Sequence, residues 1–297
     1  MKVDKIGEFG LIKKIKNQVK TNSSVIKGIG DDCAVLKFTS AKFQLYTCDM
    51  IVEGVDFTSR DDLMLVGRKA LAICVSDIAA CGGIPCHGLV SLGLPLKTKV
   101  EDVGRIYKGL NQICREFGVN IVGGDISKAP KLTIDVSLLG EVEKKNLVLR
   151  SGARPGDIIF VTGSFGGSIK GKHLSFIPRL KEARYLVRNF KVNSMIDASD
   201  GLRQDLGHIL EDSRVGAVIY EDLIPVSPWA KSLKNAFCDG EDFELIFTVN
   251  LKDARKLKSF NRGFIPIGEI VAKKFGLTLV NKKIKQKKIK LCGYTHF

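Results

Sequence analysis

The segment MIDASDGLRQDLGHIL, residues 195–210, joins a strand-like apolar run to a helix-like run through a turn rich in aspartate. Asp197 and Asp200 lie at this junction, and Asp205 follows inside the helical run. Each carboxylate suits an ordinary helix cap, but a helix N-terminus also favours bound anions. We interpret Asp205 as an ordinary helix residue, and we treat Asp197 and Asp200 as candidate ligands.

Predicted strands and helices alternate along the rest of the chain, which indicates an α/β or α+β fold. Helices are predicted at 8–20, 61–81, 101–117, 176–189, 201–212 and 251–260. Strands are predicted at 33–38, 43–52, 87–94, 120–125, 132–142, 157–163, 216–220, 243–249, 264–270 and 276–281. The turn-rich stretch RSGARPGD, residues 150–157, suits a domain junction. We therefore predict an N-terminal domain, residues 1–149, and a C-terminal domain, residues 150–297.

Length and hydropathy favour a cytoplasmic protein of two domains. A chain of 297 residues suits about two domains of ~150 residues. The sequence has no apolar run of the ~18 residues that a membrane span needs, and MKVDKIGEFG lacks the apolar centre of a signal peptide. We therefore expect no membrane partner.

The net charge of +15 raises the question of nucleic-acid binding. Much of the lysine lies in VNKKIKQKKIK, residues 280–290, where it alternates with Ile284, Ile289 and Leu291. That pattern is typical of an exposed edge strand protected by lysine. No nucleic-acid-binding motif accompanies the run, so we expect no nucleic-acid partner.

The eight cysteines form no Cys-x-x-Cys pair and lie mostly in apolar or small-residue runs. We interpret them as reduced, mostly buried thiols. CGGIPCH, residues 81–87, fits no standard zinc spacing. The glycine-rich stretch GGSIKGKH, residues 166–173, nearly matches a phosphate loop, but His173 replaces the required hydroxyl.

Aspartates recur beside glycines and at the ends of predicted elements. The stretches that carry them are GIGDDCAVL, LYTCDMIVEGVDF, CVSDIAACGG, NIVGGDIS, MIDASDGL and CDGEDFEL. Isolated caps explain some of them, but Asp77 lies in an apolar helical run, where a lone carboxylate is costly unless it is paired or bound to a metal. Several carboxylates converging on one place repel each other unless a hard cation joins them, and Mg²⁺ commonly links carboxylates to phosphates. The set therefore indicates a Mg²⁺–polyphosphate site.

Taken in order, the motifs resemble those of the thiamine-monophosphate kinase family, a branch of the aminoimidazole ribonucleotide synthetase-like ATP enzymes. The matching stretches are GEFGLI, GIGDDCAVL, TCDMIVEGVDF, RKALAICVSDIAACGGIP, NIVGGDIS, RSGARPGD, MIDASDGLRQDLGHIL, GEDFEL, PIGEI and GYTHF. They run from residue 7 to residue 297. The resemblance implies an N-terminal α/β domain whose strands pair across a homodimer, a C-terminal α+β domain, and ATP in the cleft between them.

The resemblance also implies the reaction and the residues that serve it. ATP and thiamine phosphate would give thiamine diphosphate and ADP by direct transfer, so no protein nucleophile is required. The implied Mg²⁺ ligands are Asp32, Thr47, Cys48 through its carbonyl, Asp49, Asp77, Asp125, Asp197 and Asp200. The implied ATP contacts are Tyr107, Gly124, Asp125, Arg150 and Ser199. Asp56, Glu241 and Tyr294 match positions near the thiamine moiety.

Some positions depart from the family pattern. Asp56 stands where the family commonly has histidine, CDGED replaces Gly-Gly-Glu-Asp, and the stretch 164–195 is short, so affinity or specificity for the acceptor could differ. Another ATP-dependent enzyme of the same superfamily is the alternative. The segment before Gly28 has no cysteine, unlike selenophosphate synthetase, and Cys292 is not at the extreme C-terminus, unlike the hydrogenase-maturation relative.

Overall fold

The first half of the chain forms a six-stranded sheet in a computed structural model that describes residues 2–259 and 263–297. Its elements are α1 (Val3–Gln18), β1 (Val25–Lys27), β2 (Ala34–Lys37), β3 (Lys42–Val52), α2 (Leu63–Ala80), β4 (Ile84–Leu94), α3 (Val100–Phe117), β5 (Asn120–Lys128) and β6 (Thr133–Glu143). The strand order is β1-β2-β3-β6-β4-β5, and the pairing is antiparallel except between β4 and β5. Helix α2 packs on β3 and β6 and against α3, so one face of the sheet is covered.

The second half forms a seven-stranded sheet. Its elements are β7 (Ile158–Val161), α4 (Leu180–Asn189), β8 (Val192–Asp197), α5 (Leu202–Ser213), β9 (Val215–Tyr220), α6 (Leu233–Cys238), β10 (Leu245–Val249), α7 (Leu251–Ser259), β11 (Ile265–Ala272), β12 (Leu277–Val280) and β13 (Gln286–Lys288). The strand order is β13-β12-β9-β11-β7-β10-β8. The predicted domain boundary at residues 149 and 150 lies in the connection between β6 and β7.

Helix α2 is the element on which both domains meet. Its N-cap Asp62 accepts a hydrogen bond from the Met64 amide at 2.8 Å, and nearly every residue from Val66 to Ala80 is buried. Close contact with α3 depends on Gly109, because a Cβ there would lie 1.8 Å from the Met64 carbonyl oxygen. The other side of α2 touches α4 and β8 of the second domain. Alanines and other small side chains allow this double contact.

Most predicted helices and strands are present within a few residues of their expected bounds. The predicted helix 251–260 is Leu251–Ser259, and residue 260 lies outside the described residues. The lysine-rich run supplies β13 at the sheet edge. The phosphate-loop-like stretch contains a 3-10 helix of three residues, Ser168–Lys170, where a phosphate loop would lead into an α-helix. None of the described helices is both long and apolar enough to cross a membrane.

The expectation that all eight cysteines are reduced is wrong for one pair. Cys238 and Cys292 form a disulfide, with their Cα atoms 5.2 Å apart, a separation within the usual range for such bonds. The two residues are 54 positions apart in sequence, so no local spacing signals the pair. Only the packing of the C-terminal tail against the end of α6 brings them together.

Candidate functional site

A cavity of about 290 Å³ lies between the two domains, and most of the predicted site residues line it. One wall comes from β3 and α2 of the first domain. The opposite wall comes from the turn after β8, the loop before β10 and the C-terminal tail. Predicted residues on its surface are Asp49, Asp56, Asp77, Arg150, Asp197, Ser199, Asp200, Glu241 and Tyr294.

Three carboxylates converge at the inner end of this cavity: Asp77 and Asp197 line it, and Asp32 lies directly behind them. Each of Asp32, Asp77 and Asp197 places one oxygen within 4.8 Å of the other two. Neighbouring hydroxyls hold two of them in place: Thr47 Oγ1 donates to Asp77 Oδ2 at 2.5 Å, and Ser76 Oγ donates to Asp197 Oδ2 at 2.6 Å. We name Asp32, Asp77 and Asp197 the aspartate cluster.

Arg150 partly neutralises this cluster. Its Nε and Nη2 both donate to Asp32 Oδ1, at 3.0 and 2.6 Å. Its backbone amide donates to Asp31 Oδ1 at 3.2 Å. The guanidinium of Arg150, which the resemblance implies as an ATP contact, is therefore engaged with a carboxylate of the same chain.

The aspartate cluster fits a divalent cation. Asp32 Oδ2 is buried and has no hydrogen-bond partner, and a buried polar oxygen left in that state costs free energy. Mg²⁺ prefers oxygen ligands and is commonly held by one or two carboxylates plus phosphate oxygens. Asp32, Asp77 and Asp197 would hold the ion, and Asp49 lies on the same cavity wall. The bound ion would supply charge neutralisation for phosphate groups.

Burial shifts the titration of these carboxyls. It raises the pKa of Asp32 to about 8, against the opposing charge of Arg150. It raises the pKa of Asp197 to about 6, against the hydrogen bond from Ser76. The pKa of Asp77 lies well above its usual value because of burial and the nearby charge of Asp49. A cation would offset the cost of burying these carboxyls in their ionised form, which is the main cause of the raised pKa values.

We expect the metal-free protein to lose stability as pH rises. The raised folded-state pKa values mean that the folded protein binds more protons than the unfolded chain, so the free energy of unfolding falls with increasing pH. The loss of stability extends from about pH 3.8 to about pH 6 for Asp197, and from about pH 3.8 to about pH 8 for Asp32. Thermal melts in EDTA should give a lower Tm at pH 8 than at pH 5.5.

Added Mg²⁺ should stabilise the protein most at pH 8, because it favours the ionised carboxylates. Melts in Ca²⁺-free buffer with and without Mg²⁺ measure this difference. A Tm at pH 8 that does not respond to Mg²⁺ would contradict a cation site at the aspartate cluster.

Asp205 is not the ordinary helix residue that the sequence suggested. Its carboxylate is buried, lines the cavity, and accepts hydrogen bonds from the amides of Asp200 at 3.1 Å and Gly201 at 2.9 Å. Helix α5 begins at Leu202, so these amides have no carbonyl partner within the helix. The side chain of Asp205 folds back onto them and fixes the turn that carries Ser199 and Asp200.

The outer end of the cavity is acidic and aromatic. Tyr294 lines the cavity with Glu8, Asp56, Asp200 and Glu241. Burial, and then the charges of these four carboxylates, raise the pKa of Tyr294. The main chain of the tail is tied to both domains. The Tyr294 amide donates to the Asp200 carbonyl at 2.9 Å, and the His296 amide donates to Glu8 Oε2 at 3.0 Å.

The disulfide anchors two segments of this acidic end. Cys292 precedes Tyr294 by two residues, and Cys238 precedes Glu241 by three. If the reaction uses this end for the acceptor, a dithiol reductant should raise KM for the acceptor and leave KM for ATP unchanged. Cys292→Ser should reproduce that effect without reductant, and Cys86→Ser is the control. Titration of the denatured protein should find six thiols before reduction and eight after it.

Three predicted ATP-site residues lie away from this cavity. Across the sheet, Asp49 of β3 pairs with Val136 of β6, Val136 pairs with Val90 of β4, and Val90 pairs with Gly124 of β5. Successive side chains of a strand point to opposite faces, so Asp125 lies on the other face of the sheet from Asp49. Gly124 allows close approach to β4, because a Cβ there would lie 1.8 Å from the Val90 carbonyl oxygen. Tyr107 packs against the core of the first domain.

Cys48 also points away from the cavity. Its side chain is exposed, and Sγ donates to Asp135 Oδ2 at 3.3 Å. Only its backbone carbonyl is therefore left as a candidate ligand. The roles of Cys48, Asp125, Gly124 and Tyr107 in ligand binding stay predictions.

Sequence reasoning missed two charged residues that line the cavity, Lys69 and Glu8. Lys69 Nζ forms an ion pair with Glu241 Oε2 at 2.5 Å. The sequence feature that could have identified Lys69 is its position in RKALAICVSD, about two turns of helix before Asp77. Such a position puts both residues on one face of α2. Glu8 lies in the motif GEFGLI, but its place in the cavity could not be predicted, because only the tertiary fold brings α1 to the tail.

Two family models cover most of the chain. The N-terminal domain of AIR synthase related proteins matches residues 30–142, and the C-terminal domain of those proteins matches residues 154–280. These matches agree with the two sheets and with the expected two-domain fold.

Similar proteins share both sequence and structure. A thiamine-monophosphate kinase of Rhodopirellula baltica is 36% identical, with 97% of each chain covered. That of Bacillus subtilis is 34% identical over 98% of this chain and 99% of its own. The structure of AaThiL complexed with AMPPCP and TMP has a TM-score of 0.86 at 31% identity, covering 100% of this chain and 99% of that one. With matches of this identity over nearly its full length, the chain belongs to the thiamine-monophosphate kinase family.

Proposed function

We propose that this protein transfers the γ-phosphate of ATP to thiamine phosphate, giving thiamine diphosphate and ADP. The observation that carries the proposal is the aspartate cluster at the inner end of the interdomain cavity. Family membership supports the same reaction. The three carboxylates come from different parts of the chain, and burial without a cation leaves one oxygen of Asp32 unpaired.

The chemistry needs alignment and charge neutralisation more than covalent help from the protein. Both substrates carry phosphate, so they repel each other, and phosphoryl transfer is served chiefly by positioning and electrostatic stabilisation. Mg²⁺ held by the aspartate cluster would supply the positive charge. An oxygen of the acceptor phosphate attacks the γ-phosphorus directly, so none of the lining side chains acts as a nucleophile.

The outer end of the cavity suits the organic part of the acceptor. Thiamine phosphate carries a permanent positive charge on its thiazolium ring. Glu8, Asp56, Asp200 and Glu241 line the cavity together with Tyr294, and a cation is attracted both to carboxylates and to the face of an aromatic ring. Asp56 adds a carboxylate where the family commonly has histidine, which strengthens this preference for a cation.

A homodimer is part of the proposal. Tyr46, Met50 and Leu89 are exposed on the face of the first sheet opposite to α2, and an exposed apolar face of this kind is typical of an interface. Asp125 lies on that face too, so in a dimer the partner would cover it. Light scattering should give twice the chain mass of 32.6 kDa, and Met50→Glu should lower it.

One assay tests the reaction. Purified protein is incubated with ATP, Mg²⁺ and thiamine phosphate, and thiamine diphosphate is measured by chromatography. Equal amounts of thiamine diphosphate and ADP are expected. ATP turnover on a different acceptor without thiamine diphosphate would instead favour another enzyme of the superfamily.

A further inference from the structure

Lys69 is a buried ammonium group at the acceptor end of the cavity. Its side chain is 1% exposed, and it lies on α2 of the first domain. Nζ is bound to Glu241 Oε2 at 2.5 Å and donates to the Asp56 carbonyl oxygen at 3.2 Å. Glu241 belongs to the second domain, so the ion pair crosses the domain boundary.

Stability does not explain such a pair. The Lys69 side chain is removed from water, while 26% of the Glu241 side chain stays exposed. Burying a charge is costly enough that replacing a buried ion pair by apolar residues is often neutral or stabilising. Lys69 and Arg150 are the two lysine or arginine side chains that line the described cavity. Each binds a carboxylate there: Arg150 binds Asp32 at the inner end, and Lys69 binds Glu241 at the outer end.

Glu241 lies in a strained loop that needs such an anchor. Its φ is +60°, and Phe243 has a φ of +50°. Left-handed backbone is unfavourable for a residue with a side chain, and it persists only where the surroundings impose it. The Glu241 amide donates to the Ser199 carbonyl at 2.7 Å, which fixes the main chain. The ion pair with Lys69 fixes the side chain.

We infer that Lys69 is a positioning residue for the acceptor: it holds the Glu241 carboxylate at the cavity wall and joins the two domains on the acceptor side. This inference rests on the proposed function. Because Lys69 occupies Oε2, the other oxygen of Glu241 remains for the cationic part of the acceptor. The main chain of Asp56 is held by the same ammonium group, so one lysine orders both carboxylate-bearing segments.

The test is steady-state kinetics of Lys69→Met, Glu241→Gln and the double variant. Each single change should raise KM for thiamine phosphate about 10- to 100-fold, because a misplaced contact of ~1 Å can cost up to that factor. KM for ATP should change less than about twofold. If Lys69 acts through Glu241, the double variant should be no worse than Glu241→Gln alone, since coupled residues are not additive.

Arg184→Met is the matched control. Arg184 Nη2 pairs with Glu143 Oε1 at 2.8 Å and also crosses the domain boundary, but neither residue lines the cavity. This variant should lower the free energy of unfolding and leave both KM values unchanged. Lys69→Arg keeps the charge and should restore part of the affinity for thiamine phosphate.

The outcomes separate the two proposals. A wild-type protein that makes no thiamine diphosphate overturns the proposed function, and this inference with it. With an active wild type, an unchanged KM for thiamine phosphate in Lys69→Met overturns the role of Lys69, and so does an equal rise in both KM values. If Lys69→Met does not fold, the double variant serves instead, because it removes both charges. A KM of the double variant for thiamine phosphate well above that of Glu241→Gln alone contradicts positioning through Glu241.

Discussion

Replacing Asp77 by asparagine should reduce kcat about 1,000-fold or more. The change removes one negative charge from the aspartate cluster and keeps the size of the side chain. Loss of a cation contact worth about 4 kcal/mol in the transition state corresponds to a factor of this size. Thr47 donates to Asp77 Oδ2, and an asparagine oxygen can accept the same hydrogen bond, so the fold should persist. Thiamine diphosphate formation at saturating substrates is the measurement.

The stability of this variant gives a second readout. Burial raises the pKa of Asp77 well above its usual value, so the uncharged amide should make the metal-free protein more stable at neutral pH. The stabilisation by Mg²⁺ should shrink at the same time. Asp222→Asn is the control, because Asp222 is exposed and outside the cavity. Near-normal turnover by Asp77→Asn would show that Asp77 does not serve the cation.

Arg150→Ala should destabilise the protein by about 3–5 kcal/mol, the cost of leaving a buried carboxylate without its partner. Arg150 donates twice to Asp32, whose side chain is 1% exposed, and its amide donates to Asp31. The guanidinium is lost while both carboxylates stay in place. Urea denaturation in EDTA at pH 9, above the pKa of about 8 at which Asp32 ionises, measures the loss.

Mg²⁺ should recover part of the stability of Arg150→Ala, because the ion supplies positive charge beside Asp32. Arg105→Ala is the matched control. Its pair with Asp62 is about half exposed on both sides, and pairs of that kind contribute about 0–1 kcal/mol. If Arg150→Ala and Arg105→Ala lower the free energy of unfolding by the same amount, the pair between Arg150 and Asp32 does not act as a buried ion pair.

Local sequence patterns predicted the parts of this protein that depend on neighbouring residues. Apolar residues recur about every second position in β3 and β6 and about every 3.6 positions in α2, because those spacings place side chains on one face of a strand or of a helix. A lone aspartate in the apolar helix α2 is costly without a partner, so Asp77 could be assigned to a site from its surroundings alone. Motif order along the chain was sufficient for the family and hence for the two-domain fold.

Sheet register decided where the predicted ligands lie. The family resemblance implies a Mg²⁺-ligand role for both Asp125 and Asp49. In this structure β4 and β6 separate their strands, and the pairing places the two side chains on opposite faces. Register depends on hydrogen bonds between strands far apart in sequence. No pattern within β5 reports it.

The sequence by itself determined the family, the order of the elements and the carboxylates needed for phosphate chemistry, because each depends on residue type and short spacing. Only the tertiary structure decided that Asp205 ties down the turn at the start of α5, that Cys238 joins Cys292, and that Lys69 meets Glu241. These contacts join atoms whose positions depend on the packing of whole elements. The segment 195–210 shows both cases, since Asp197 could be assigned from its motif and Asp205 could not.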